Sequence, residues 1–201
     1  MKSDKIKNAV CFHEAGHWVV ARHFGFKTGE IRITITKDKS FFGHHGSSKI
    51  FPRLRSSSKE LIEKYLRNRI SVLFAGVIAQ SLTIENKKEN SASDLLHSDG
   101  SDDHKTVYEL LYILRGVCHP DEDEDLDGTR LLKLQKECWE SSDQIVQKEK
   151  IGIATLAHKM AGEISRMNYE YIFDRDKLAG WLPNLPPNTD TPPTAECPLA
   201  S

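Results

Sequence analysis

Apolar residues recur along this chain with periods that separate helices from strands. From residue 3 to residue 24, Val10, Phe12, Ala15, Trp18, Val19 and Phe24 leave almost no polar face, the mark of a helix buried in mid-fold. Ser3 or Asp4 is placed to cap its start and Gly25 to stop it. Glu30 to Thr36 alternates isoleucine with polar residues and predicts a half-buried strand; Phe41 to Gly46 predicts a second, irregular one after a Lys37-Asp38-Lys39 turn. Two short strands leave an edge open, either to receive an extended peptide or simply as part of a hairpin that covers the core.

Ser57 with Glu60 fits a capping box and opens a helix that runs to about Leu82; its Ala75-Gly76 pair predicts close approach to another backbone, the first helix being the natural neighbour. Glu85 to Asp102 reads as a surface loop. A helix follows from about Ser101, with Val107, Leu110, Leu111 and Leu114 on one stripe and Gly116 as its end. Residues 129 to 167 read as helical with a break near Glu140-Ser141-Ser142, and Asp174 caps a last short helix through Trp181. The acidic run Asp121 to Asp125 lacks the spacing of a calcium loop. Pro183, Pro186, Pro187, Pro192, Pro193 and Pro198 mark a disordered tail, giving a domain over 1–182 and a tail over 183–201.

Composition narrows the class. The chain has 201 residues, room for one ordinary domain with a proper core, and a formal net charge of −1, which gives no reason to expect a nucleic-acid partner. No apolar run approaches a membrane span, and the first residues do not read as a signal peptide. Cys11, Cys118, Cys138 and Cys197 form no CxxC pair, so reduced structural thiols in the cytoplasm are expected rather than a disulfide framework or a cysteine zinc site.

Within the first helix stands His13-Glu14-Ala15-Gly16-His17. Residues four apart on a helix lie about 40° apart in angle and roughly 6 Å apart along the axis, so His13 and His17 project together toward a single zinc ion. Glu14 sits at the edge of that face, able to take a proton from a metal-activated water without being a ligand. A string this short also recurs by chance, and a catalytic zinc needs a third protein ligand. His23 lies about 15 Å further along the helix and on another face, because Val20 stands where the chain would need a glycine to turn back. His44 and His45 flank a glycine in a strand and read as substrate-proximal or surface residues. Asp103 falls on the inward stripe of the Ser101 helix one turn before Val107, and a buried carboxylate there needs a partner that a cation supplies. The plainer reading is that Asp103 complements the helix N-terminus. Asp102 faces the wetter side and is the reserve.

With these residues in view the chain resembles the peptidase domain of FtsH-type zinc metalloproteases, the membrane AAA proteases. The resemblance rests on His13-Glu14-Ala15-Gly16-His17, the strand Ile31 to Thr36, the helix segment Ala75-Gly76-Val77-Ile78-Ala79-Gln80 and Ser101-Asp102-Asp103, over roughly residues 5 to 182. Gln80 stands where that family usually has a glutamate, and the ATPase module and membrane anchor have no counterpart in these residues. The resemblance implies a mainly α FtsH-peptidase-like domain with a small β-hairpin or sheet beside the HExxH helix. It implies one Zn2+ on His13, His17 and Asp103, Glu14 as general base, and a polypeptide substrate paired along the strand at Ile33, Thr34 and Ile35 and against Gly43. The activity expected is ATP-independent cleavage of flexible or unfolded chains, with a separate ATPase or adaptor partner and self-association left open. Two rivals stay beside it: a peptide-binding or regulatory module that has lost useful turnover, and a purely structural helical domain.

Overall fold

The first helix is the axle of the molecule. The computed structural model describes residues 2–38, 41–54, 58–83, 92–97, 100–120 and 124–182. Helix α1 (Lys2–His23) packs against α2 (Lys59–Ser81), α5 (Asp127–Glu163) and strands β1 (Lys27–Asp38) and β2 (Phe41–Phe51). Being covered on so many sides, it is apolar nearly all round: Cys11, Ala15, Trp18, Val19, Val20 and Ala21 are fully buried. It begins at Lys2, so Ser3 and Asp4 lie inside its first turn rather than at its cap. Its end is as expected. Gly25 takes a positive φ of 78°, Gly25 N–H donates to Arg22 O at 2.9 Å and Phe26 N–H to Ala21 O at 2.9 Å, the paired bonds of a glycine-terminated helix.

The sheet has three antiparallel strands in the order β2-β1-β3, where β3 is Glu170–Phe173. Ile31, Ile33 and Ile35 bury one face of β1 on the helices while Arg32 and Thr36 face outward, the period-two pattern the sequence predicts. Both strands of the hairpin run longer than expected. β3 was not predicted; four residues of alternating exposure carry little periodic signal. It closes the second edge of β1, pairing Ile31 with Phe173 and Thr34 with Glu170. Asn168, with φ at 56°, extends this closure: its N–H donates to Ile35 O at 2.8 Å and its Oδ1 accepts from Lys37 N–H at 2.9 Å. Among the described residues, the outer edges of β2 and of the four-residue β3 pair with no further strand.

The helical layer differs from expectation at several points. Ser58, not Ser57, caps α2, its Oγ accepting from Leu61 N–H at 3.4 Å; Ser57 lies outside the described residues. A six-residue helix α3 (Ala92–His97) occupies part of the segment read as loop. Helix α4 (Ser101–Cys118) continues through Gly116 to Cys118. Helix α5 runs unbroken over 37 residues. Of the serines expected to interrupt it, Ser142 finds a partner across a helix crossing: its Oγ donates to Ser71 O at 2.8 Å, and Ser71 Oγ on α2 donates back to Cys138 O at 3.1 Å. A hydroxyl satisfied by a neighbouring helix no longer competes with its own. Asp174 caps α6 (Arg175–Trp181) as predicted, accepting from Lys177 N–H at 2.8 Å. Asp121 to Asp123 and the 183–201 tail lie outside the described residues. Among the described residues no helix is long and apolar enough to cross a membrane.

Candidate metal centre

Helices α1 and α2 cross on glycine and alanine. A Cβ added to Gly16 would lie 2.5 Å from Ala75 O and 2.6 Å from Ala79 Cβ, so this position accepts hydrogen alone. Gly76 does the reciprocal service for α1: a Cβ there would stand 2.6 Å from His17 Cε1 and 2.7 Å from His13 Nε2. Gly76, costly to helix propensity, is thus the recess that admits both imidazoles.

The same face of α2 orients them. His13 Nδ1–H donates to Gln80 Oε1 at 3.0 Å, and His17 Nδ1–H donates to the Val72 carbonyl at 2.8 Å. Both rings thereby present Nε2, with their Nε2 atoms 3.0 Å apart. Asp103, in the first turn of α4, brings Oδ2 to 3.2 Å from His13 Nε2 and 3.0 Å from His17 Nε2. Tetrahedral ligands at zinc distances of ~2.0–2.1 Å stand about 3.3 Å from one another, so the three donors lie within a few tenths of an ångström of a zinc triangle. The chemistry fits as well: two imidazoles and one carboxylate are borderline and hard donors suited to a divalent zinc. These residues form a group that could hold a metal ion.

Within the cluster the His17 imidazole and the Asp103 carboxylate favour one another's charged forms. Burial pushes the His17 imidazole down, but the Asp103 charge and hydrogen bond, then Glu14 and the Val72 carbonyl, outweigh it and carry it up to about 9. For Asp103, burial raises the carboxyl, while His17 and the hydrogen bond from His13, followed by the remaining imidazole contributions, hold it well below the usual carboxylate range. Asp102 takes no part in the cluster: its side chain is 95% exposed and pairs with Lys105 at 3.2 Å.

Glu14, 5% exposed, is held at the mouth of the cluster by β2. Ser48 Oγ lies 2.8 Å from both Glu14 Oε2 and the Glu14 carbonyl, and a Cβ on Gly46 would stand 2.9 Å from Glu14 Cδ. These groups open onto a cleft of about 370 Å³ lined also by His44, His45, Leu73 and Arg69. His23 is elsewhere, its Nδ1 3.1 Å from Glu149 Oε1 on α5.

The residues expected to bind substrate along β1 require correction. Ile33 and Ile35 are fully buried in the core, Thr34 is half-buried, and both edges of β1 are occupied by β2 and by residues 168–173. No extended chain can add itself there. Gly43 lies on β2 opposite Thr36, away from the cleft lining, which on β2 begins at His44. The sequence also left unread Ser48, the recess made by Gly76, and Arg69. The Ala75-Gly76 pair signalled close packing but not what it made room for.

No protein-family model matches the chain, and no curated protein matches it in sequence. What fold and geometry define together is a mainly helical domain with a three-stranded antiparallel sheet and a His-His-Asp cluster at its central helix crossing.

Proposed function

We propose that the chain is a zinc-dependent, ATP-independent endopeptidase of FtsH-like type acting on flexible or unfolded polypeptide. The observation that carries this reading is the convergence of His13, His17 and Asp103, with each imidazole fixed by a hydrogen bond on Nδ1 so that Nε2 faces its neighbours. A zinc ion held there would polarise a peptide carbonyl and lower the pKa of a water to near ~7. Glu14 takes the proton of the attacking water and passes it to the leaving amine. Ser48 keeps the Glu14 carboxylate aimed into the cleft. An extended substrate pairs with the free edge of β2, beside His44 to Ser48, in place of the β1 strand. A folded protein presents no such extended segment, which is why unfolded chain is the substrate.

A second reading, a peptide-binding module with weak turnover, draws on Gln80. Its neutral amide accepts the His13 Nδ1–H but supplies none of the charge by which a carboxylate would raise the basicity of that ligand. One set of measurements separates the two. Zinc per chain is determined by elemental analysis for wild type, His17→Ala and Asp103→Ala, and casein cleavage is followed for wild type and Glu14→Gln. The proposal expects one zinc in wild type, loss in both ligand variants, and cleavage that drops about 10²–10⁴-fold in Glu14→Gln with zinc retained. Zinc without cleavage of casein or other unfolded chains favours the binding module; no zinc in wild type rejects the metal site and the peptidase with it.

A further inference from the structure

The face of α2 that builds the metal centre extends one turn further toward the helix start than the centre itself. Gln80, Gly76 and Val72 meet the histidines, and Arg69 follows three residues before Val72, on the same side of the helix, lining the cleft with Asp103. Its Nη1 is buried without a hydrogen-bond partner, and no ion pair joins Arg69 to a carboxylate among the described residues. Burial pushes the guanidinium down and the Asp103 charge, then Tyr65, partly restores it. Arginine remains charged under all ordinary conditions, so this is a cation set in a half-buried cleft with an unused donor. A donor in that state costs free energy unless something arrives to accept from it.

The charges around the cleft indicate what arrives. With a divalent ion bound, its charge and that of Arg69 exceed the charges of Glu14 and Asp103 by one, while Asp102, at the rim of the cleft, is offset by Lys105 at 3.2 Å. One further negative group balances the cleft. A guanidinium fork matches a carboxylate in two parallel hydrogen bonds, a match that fixes direction as well as charge.

We propose that Arg69 is the specificity-determining residue of this cleft and receives a carboxylate of the peptide substrate, from an acidic side chain near the scissile bond or from a free C-terminus. The inference rests on the peptidase reading and narrows its substrates to chains that offer such a group beside the metal centre. Arg69 acts in binding; the proton transfers remain with Glu14.

The test uses the full chain loaded with zinc and short fluorogenic peptides in matched pairs, glutamate against glutamine at each position and free against amidated C-terminus. kcat/KM is compared for wild type, Arg69→Lys and Arg69→Met, with zinc content measured for each. Peptide affinity is measured separately in Glu14→Gln and in Glu14→Gln combined with Arg69→Met. A charge-assisted hydrogen-bond pair predicts that wild type favours the carboxylate member of one pair by roughly 10- to 100-fold. Arg69→Met brings that ratio to within about twofold and Arg69→Lys retains part of it, because lysine keeps the charge without the fork. Which pair responds identifies the source of the carboxylate; a response at the free C-terminus alone makes the cleavage that of a carboxypeptidase instead of an endopeptidase. Absence of discrimination in wild type, or an equal loss on both members in Arg69→Met, overturns the proposal; so does loss of zinc in Arg69→Met, which would assign Arg69 to the support of Asp103. If no peptide is cleaved yet Glu14→Gln binds the carboxylate member more tightly, the carboxylate site stands and the endopeptidase reading fails. If neither member binds, the site is rejected.

Discussion

Helix α2 makes two close crossings, and the same device, a small residue at the contact, has opposite outcomes in them. Against α5, Ser71 and Ser142 exchange hydroxyl bonds with the opposing backbone, and both hydroxyl donors are consumed. Against α1, Gly16 and Ala75 bring the backbones together while Gly76 leaves a recess that two imidazoles fill. There the Nδ1 positions are satisfied and the Nε2 atoms converge with Asp103. The first crossing is a closed joint. The second is held as firmly but leaves three donor atoms aimed at one point. Small residues at a helix crossing therefore mark close approach and not function; the mark of a site is the set of ligand atoms that packing leaves facing one another.

The comparison is broken most directly at Gly76. Gly76→Ala places a methyl against both imidazoles and is expected to weaken zinc binding by at least ~100-fold, read by competition with a chromogenic chelator, while circular dichroism keeps its helical signal. Retention of wild-type zinc affinity would mean the recess is not what seats the histidines. A smaller effect is expected at Gln80. Gln80→Leu removes the acceptor of His13 Nδ1–H and should lower zinc affinity about 10- to 100-fold, whereas Gln80→Glu, restoring a carboxylate, should equal or exceed wild type.

The closed joint should respond in stability and not in metal. Ser71→Ala and Ser142→Ala are each expected to cost about 1 kcal/mol in urea unfolding, with the double variant less than additive and zinc content unchanged. Loss of zinc in either would show that the two crossings are coupled through α2. A last effect concerns pH. Burial pushes the Cys138 thiol, at the joint, up to about 12 from an ordinary value of 9.0, with Arg67 pulling down and Glu137 and Cys118 adding to the rise. A group raised on folding contributes stability that is complete below the unfolded value and is lost as pH climbs toward the folded one. The unfolding free energy from urea titration should therefore decline between pH 9 and 12, by ~1 kcal/mol per pH unit for this thiol, and Cys138→Ala should decline less steeply.

Legibility followed the range of the interactions. The placement of His13 with His17 on one face needed only the helical repeat, and Asp103 was reached by carrying the Val107 stripe back one turn. Asp102 pointed outward for the same reason, and Gly25 and Asp174 announced their caps by residue type. Ser142 of α5 misled because a hydroxyl in mid-helix reads as a breaker until its partner on α2 is known. Arg69 gave no sign at all, since an arginine at the edge of an amphipathic helix is ordinary until the cleft beside it is seen.

The sequence by itself determined the buried central helix, the histidine pair on it, the inward aspartate and the alternating face of β1, because these follow from backbone repeats acting over a turn or two. Tertiary structure alone decided which sheet edge stays free, how each imidazole is turned, what holds Glu14 and where Arg69 stands. Each of these depends on a partner far along the chain, as Arg32 meets Glu170 across 138 residues at 3.3 Å. Such pairings are selected by the packing of the whole domain, and no local period records them.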